Sequence, residues 1–133
     1  MTLQRPVPRL TEENRFFWTS GADGRLRFMR CNDCNTTLHP PQLVCRKCLS
    51  ENVAPQPVAG TGEIYSFTVN HQKWNPALEV PYVIARVAID GAPGVLLTTN
   101  IVGCPVDSVK IGDRVRVTFE RQGDIYYPLF EKT

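Results

Sequence analysis

A mostly β fold is what this sequence predicts, on three observations. Two Cys-x-x-Cys pairs, Cys31/Cys34 and Cys45/Cys48, stand ten residues apart. Five β-branched or aromatic runs follow residue 60, each bounded by turn residues. One apolar-rich segment before the first cysteine carries helix-start and helix-stop residues. Together they predict a short N-terminal helix, a rubredoxin-like zinc ribbon and a five-stranded OB-fold barrel. The expected segments are an N-terminal arm and helix (1–28), the ribbon (29–52), a linker (53–60) and the barrel (61–133). At 133 residues the chain fits one compact domain, or a small module fused to a modest one.

The elements follow in chain order. Pro6 and Pro8 mark an irregular arm with little to bury, expected to order on assembly. In LTEENRFFWTSGADG, Thr11 is the candidate N-cap, Glu12 and Glu13 suit the positive end of the helix, and Gly21 is the candidate stop. Such a helix is too short to stand alone, so Leu10, Phe16, Phe17 and Trp18 must pack on something. Either they face the chain's own second half, or Phe17 and Trp18 face a partner or ligand. GRLRFMR alternates and enters the first cysteine pair as a strand. NVAPQPVAG, rich in Pro and small residues, reads as the connector. EIYSFTVN, YVIARVAI, GVLLTTNIV, RVRVTFE and IYYPLFE are the five barrel strands, with Val115, Val117 and Phe119 on one face and Arg114, Arg116 and Thr118 on the other. PVDSVKIG, between the third and fourth runs, has room for the one helical turn that a five-stranded Greek-key barrel places there.

Each Cys-x-x-Cys pair in a tight turn brings two thiolates to one ion, and two such turns complete a tetrahedral four-sulfur shell. Zinc favours that geometry, and with Cys31, Cys34, Cys45 and Cys48 all engaged no position is left for water or substrate. The role expected of the ion is structural. Iron competes for the same ligands. Rubredoxin, however, usually places Gly after the second cysteine of each pair, where this chain has Asn35 and Leu49. An odd count of five cysteines and the absence of an export signal disfavour disulfides, and the expected compartment is the cytoplasm. His39, before Pro40 and Pro41, reads as an exposed loop residue.

Charge and hydropathy narrow the function classes. Apolar residues make up 42% and charged residues 21%, near the averages of globular chains, and no apolar run approaches the roughly 20 residues of a membrane span, so no membrane partner is expected. Ribbon and barrel modules both bind single-stranded nucleic acid elsewhere, which is the alternative function to weigh. Residues 1–60 carry eight Lys/Arg against five Asp/Glu, a formal +3, and residues 61–133 carry seven against eight, a formal −1. Four thiolates on one divalent ion add −2, so the metallated chain is near neutral. It lacks the cation surplus that phosphate tracking needs, and nucleic acid is not the expected partner.

A search for nucleophile, base and orienter returns little. Cys104, between Gly103 and Pro105, is a lone thiol of the kind that usually fills apolar space, and His71 in NHQKWNPALEVPY is a lone loop histidine. No glycine-rich phosphate loop or open metal site accompanies them. The residues favour a binding or scaffolding module without catalytic residues of its own.

The order FFW, CNDCNTTLHPPQLVCRKC, GTGEIYSFTV, PYVIARVAIDGAPGVLLTTNIVGC, KIGDRVRVTFE and PLFEK, over about residues 11–132, resembles the DUF35 family of zinc-ribbon/OB-fold proteins. The resemblance implies a small accessory subunit that binds acyl-CoA and pairs, as a hetero-oligomer, with a thiolase-like enzyme, a lipid-transfer-type thiolase or aldolase, or a MaoC-type hydratase. The partner then holds the catalytic residues. The four cysteines carry over as zinc ligands. CoA brings phosphates, an adenine and a flexible arm, so its site wants cations beside an aromatic or apolar groove. Arg30, Arg46 and Lys47 near the ribbon, with Lys73 and Trp74 on the later loop, are the candidates.

Overall fold

The N-terminal helix is shorter than its sequence signals predict, because the capping interaction acts one turn early. In the computed structural model, which describes residues 5–133, the Thr11 hydroxyl accepts from the Asn14 amide (3.2 Å) and the Asn14 side chain accepts from the Thr11 amide (2.8 Å). Glu12 and Glu13 lie in this turn, and the α-helix proper, α1, covers Arg15–Thr19 before tightening into a 3-10 turn over Ser20–Asp23. The stop is Gly24, left-handed at φ 79°, rather than Gly21. Gly21 has a different job. A Cβ there would come within 2.6 Å of the Phe119 ring and of Tyr126 Cβ, so the turn can lie against the barrel only without a side chain. Gly21→Ala is expected to cost about 1–3 kcal/mol by overpacking. Urea unfolding reads the effect, and an unchanged midpoint would contradict the close approach.

Of the expected arm, residues 1–4 lie outside the described residues. From Arg5 onward the arm is held on the barrel: Arg5 pairs with Glu120 and donates to the Asn100 side chain (2.7 Å), and the Tyr127 hydroxyl donates to the Pro6 carbonyl (3.0 Å).

The ribbon is a three-stranded antiparallel sheet of β1 (Arg27–Cys31), β2 (Thr37–Leu38) and β3 (Val53–Pro57), in the order β2-β1-β3. β3 occupies most of the stretch read as a connector. It pairs with β1 from Arg27 opposite Pro57 to Cys31 opposite Val53. Its prolines fit because of their parity. The Val58 amide donates to the Leu26 carbonyl (2.9 Å), so by alternation Gln56 and Ala54 also bond toward β1. Pro55 and Pro57 then lack their N–H on the solvent edge, where nothing needs it.

The five expected runs form five strands, β4 (Thr61–Asn70), β5 (Tyr82–Ile89), β6 (Leu96–Val102), β7 (Arg114–Gln122) and β8 (Ile125–Lys132). They close in the order β4-β5-β6-β8-β7, with β6 and β8 pairing in parallel, and a 3-10 turn at Val106–Ser108 lies on the connection from β6 to β7. This is the OB-fold. Ile64, Val83, Val87, Val115 and Phe130 are fully buried in its centre. Phe17, Leu26 and Phe28 belong to the same apolar cluster, so helix and ribbon share the barrel's core instead of hanging from it. On β7, Val115 is buried with Val117 and Phe119 packed beside it, while the outward Arg114 and Arg116 pair with Asp90 and Glu131. Among the described residues, no helix is long and apolar enough to cross a membrane.

Candidate metal centre and binding groove

The four cysteine sulfurs converge. Among the described residues, Cys31, Cys34, Cys45 and Cys48 are the only group of His, Cys, Asp or Glu placed to hold an ion, with all four sulfurs within 4.8 Å of one another. Their pairwise separations include 3.5 Å for Cys31–Cys48 and 3.6 Å for Cys34–Cys45. A tetrahedral shell with sulfur about 2.3 Å from the ion requires sulfurs about 3.8 Å apart. The donor set therefore fits a thiolate-bound tetrahedral ion.

Each knuckle is made by the same backbone device. The Asn35 amide returns to the Cys31 carbonyl (2.9 Å) and the Leu49 amide to the Cys45 carbonyl (2.9 Å). To close these turns Asn35 and Leu49 adopt φ of 64° and 63°, in the left-handed region that favours glycine. Asn tolerates this region; for Leu49 it costs about 1–2 kcal/mol, which the closed shell must offset. The Lys47 and Cys48 amides point at Cys45 Sγ (3.4 and 3.5 Å), donors that favour a thiolate. Asp33 accepts from Ser50 (2.5 Å) and Asn52 (3.2 Å), tying the first knuckle to the end of the second; these bonds hold its carboxyl below the usual range.

Thr36, through its hydroxyl and amide, brings the Cys34 thiol down to about 6. The Ser50 amide favours the Cys48 thiolate, but the neighbouring sulfurs and burial outweigh it and push that thiol up to about 12. Four thiolates cannot coexist here without a cation to neutralise them, and loading the site releases protons. When bound, the ion supplies a cross-link between the two knuckles.

The other sequence candidates disperse. Arg30, Arg46 and Lys47 are exposed on the ribbon, with Arg46 donating to the Thr37 carbonyl (3.3 Å). Lys73 and Trp74 are exposed on the β4–β5 loop, Trp74 at 77%. His71 is exposed in the same loop. Cys104 is partly buried against the barrel core, the environment of an apolar filler. Phe17 is 5% exposed, with its ring edge-to-face on Trp18 at 5.1 Å and 6.1 Å from Phe28, so it is a core residue. Trp18, only partly buried, packs on Tyr127.

Two features went unread in the sequence. One is a groove of about 780 Å³ where α1, the loop after β2 and the barrel meet; Trp18, His39, Arg86, Thr98 and Tyr127 are among its walls. None of the five CoA candidates lines it. The other is His39 itself. It is not an exposed loop residue: its ring sits 5.1 Å from Phe17 and 5.0 Å from Phe28, and its Nδ1 is buried without a hydrogen-bond partner among the described residues. Burial lowers its pKa from the ordinary 6.5. A depressed histidine contributes stability that is complete above 6.5 and is lost as pH falls through the folded-state value. Wild type is therefore expected to lose stability relative to His39→Phe as pH falls from 7 to 5, with acid release of the metal common to both. Parallel pH–stability curves would contradict the burial of a neutral imidazole.

Residues 18–54 match the family model for the ChsH2 rubredoxin-like zinc ribbon domain, and residues 55–120 match that for the ChsH2 C-terminal OB-fold domain. The chain superposes at TM-score 0.86 and 33% identity on a chain of a solved structure titled Ltp2-ChsH2(DUF35) aldolase, covering 95% of this chain and 98% of that one. The chain belongs to the DUF35 family. A DUF35 domain-containing scaffold protein of Methanothermobacter thermautotrophicus is 29% identical over 94 residues, 69% of each chain. A probable enoyl-CoA hydratase alpha subunit of Thermomonospora curvata is 36% identical over 127 residues, 95% of this chain. This DUF35 chain spans about two fifths (39%) of the hydratase subunit's length.

Proposed function

We propose that this chain is a non-catalytic subunit that docks on a thiolase-like enzyme, or an aldolase or hydratase of acyl-CoA metabolism, and adds acyl-CoA-binding surface to it. The observation that carries the reading is the end-to-end likeness to a chain titled as part of an Ltp2–ChsH2 aldolase. A four-thiolate site with no open position supports it, because such an ion holds shape and activates nothing. We assign the ion as zinc, in keeping with the zinc ribbon domain that residues 18–54 match.

Under this reading Arg30, Arg46, Lys47, Lys73 and Trp74 remain the CoA-contacting candidates, all exposed and available to phosphate or adenine. The test is native affinity capture with mass spectrometry, followed by acetyl-CoA titration of the recovered complex by tryptophan fluorescence. A thiolase-like or hydratase-like partner, with quenching that Trp74→Phe removes, is the expected result. Recovery of RNA-processing proteins would replace this reading with the nucleic-acid one, and thioester turnover by the isolated chain would make it an enzyme in its own right.

A further inference from the structure

The barrel is zipped along only part of its last seam. β6 and β8 pair at Ile101 with Phe130 and at Val102 with Glu131, and the ladder stops there. The chemical reason is on β8. Pro128, two residues before Phe130, has no N–H to continue the ladder, and its carbonyl is taken by the Thr99 hydroxyl (2.7 Å). The first half of β6 therefore has β5 on one side and, among the described residues, no backbone partner on the other.

Register identifies which peptide groups are left. The Ile89 amide donates to the Val95 carbonyl (3.3 Å), which makes 89 and 95 a hydrogen-bonded pair. By antiparallel alternation Leu97, Thr99 and Ile101 then direct their N–H and C=O toward β5. Leu96 and Thr98 direct theirs the other way, into the groove, and no backbone partner for them is found among the described residues. Two outward-facing peptide units, spaced as a strand presents them, form an edge for strand addition. Trp18 and Leu129 supply apolar wall beside it.

We propose that an extended segment of the partner polypeptide, carrying an acidic side chain, adds as a short strand to the Leu96–Thr98 edge. Charge selects this occupant. Arg86 stands opposite Thr98 on β5 and is exposed on the groove wall, with no ion pair among the described residues. Arg5, the other cation of the groove, is already engaged by Glu120, and Glu13 lines the same space. One cation unpaired among the described residues, in a groove that also holds a carboxylate, suits a peptide with a single acid and is poorly suited to the several phosphate charges of CoA. The inference rests on the accessory-subunit reading and names where the partner grips.

Thr98→Pro is the sharpest probe. It deletes an N–H that the barrel does not use, so the fold is expected to survive while the added strand loses a bond and meets a steric block. Arg86→Glu tests the charge independently. The experiment is hydrogen exchange on the zinc-loaded chain, alone and in complex with its captured enzyme subunit, with binding measured for both variants. Slowed exchange at Leu96 and Thr98 in the complex is expected, with Tm close to wild type and at least 10-fold weaker binding for either variant. A stable complex that leaves both amides fast-exchanging and binds Thr98→Pro normally overturns the strand addition and leaves the accessory role standing. Protection by acetyl-CoA alone, or concentration-dependent protection in the isolated chain, overturns it in favour of the pantetheine arm or a second copy. Failure to recover any enzyme partner removes the occupant and overturns both.

Discussion

Cys45→Ser is expected to empty the metal site. Cys45 is fully buried, its sulfur accepts two backbone amides, and it sits 3.6 Å from the Cys34 sulfur. A neutral hydroxyl in its place neither reaches the ion at thiolate distance nor carries the charge that the cation balances. Loss of an outer-sphere partner alone costs about 10–100-fold in metal affinity, and loss of a direct ligand must exceed that. Structural zinc contributes on the order of 10–16 kcal/mol to small zinc-binding peptides, so the knuckles should open with the metal gone. Chelator competition and metal analysis check this. One equivalent of tightly held zinc in the variant would show that the four sulfurs do not act as a set.

Phe17→Ala is expected to cost about 3–5 kcal/mol of stability, the range for deleting a buried aromatic ring. Against a total of about 5–15 kcal/mol for a domain, this leaves a marginal protein. The reason is position. Phe17 joins α1 to Phe28 and His39 and lies in the same cluster as the barrel centre. Denaturant unfolding measures the loss, and the comparison with Trp18→Ala is informative. Trp18 borders the groove and is only partly buried, so its removal should weaken partner binding more than folding. A Phe17→Ala protein with wild-type stability and impaired partner binding would restore Phe17 to the surface.

Much of this architecture was legible from local sequence. The cysteine spacing identified the knuckles, and strand period identified all five barrel strands, because both signals arise within a few residues. What escaped depends on register. Pro55 and Pro57 argued for a connector, yet they sit on the solvent edge of β3, and only pairing with β1 reveals that parity. Asn35 and Leu49 gave no glycine signal, although the knuckles impose the left-handed backbone that glycine would have announced. His39 followed by two prolines looked like loop, and its burial comes from Phe17, more than 20 residues earlier. The groove was invisible for the same reason: its walls come from the arm, α1, the ribbon and three barrel strands, and the β6 edge left unpaired among the described residues lies where Pro128 on β8 interrupts a parallel ladder.

The most direct measurement of the central claim, that a closed ion holds the ribbon while another polypeptide does the chemistry, is zinc X-ray absorption on the metallated chain with and without acetyl-CoA. The account predicts four sulfurs at about 2.3 Å and an identical spectrum in both states. Fewer than four sulfurs, with an oxygen or nitrogen ligand that changes when the thioester is added, would contradict it.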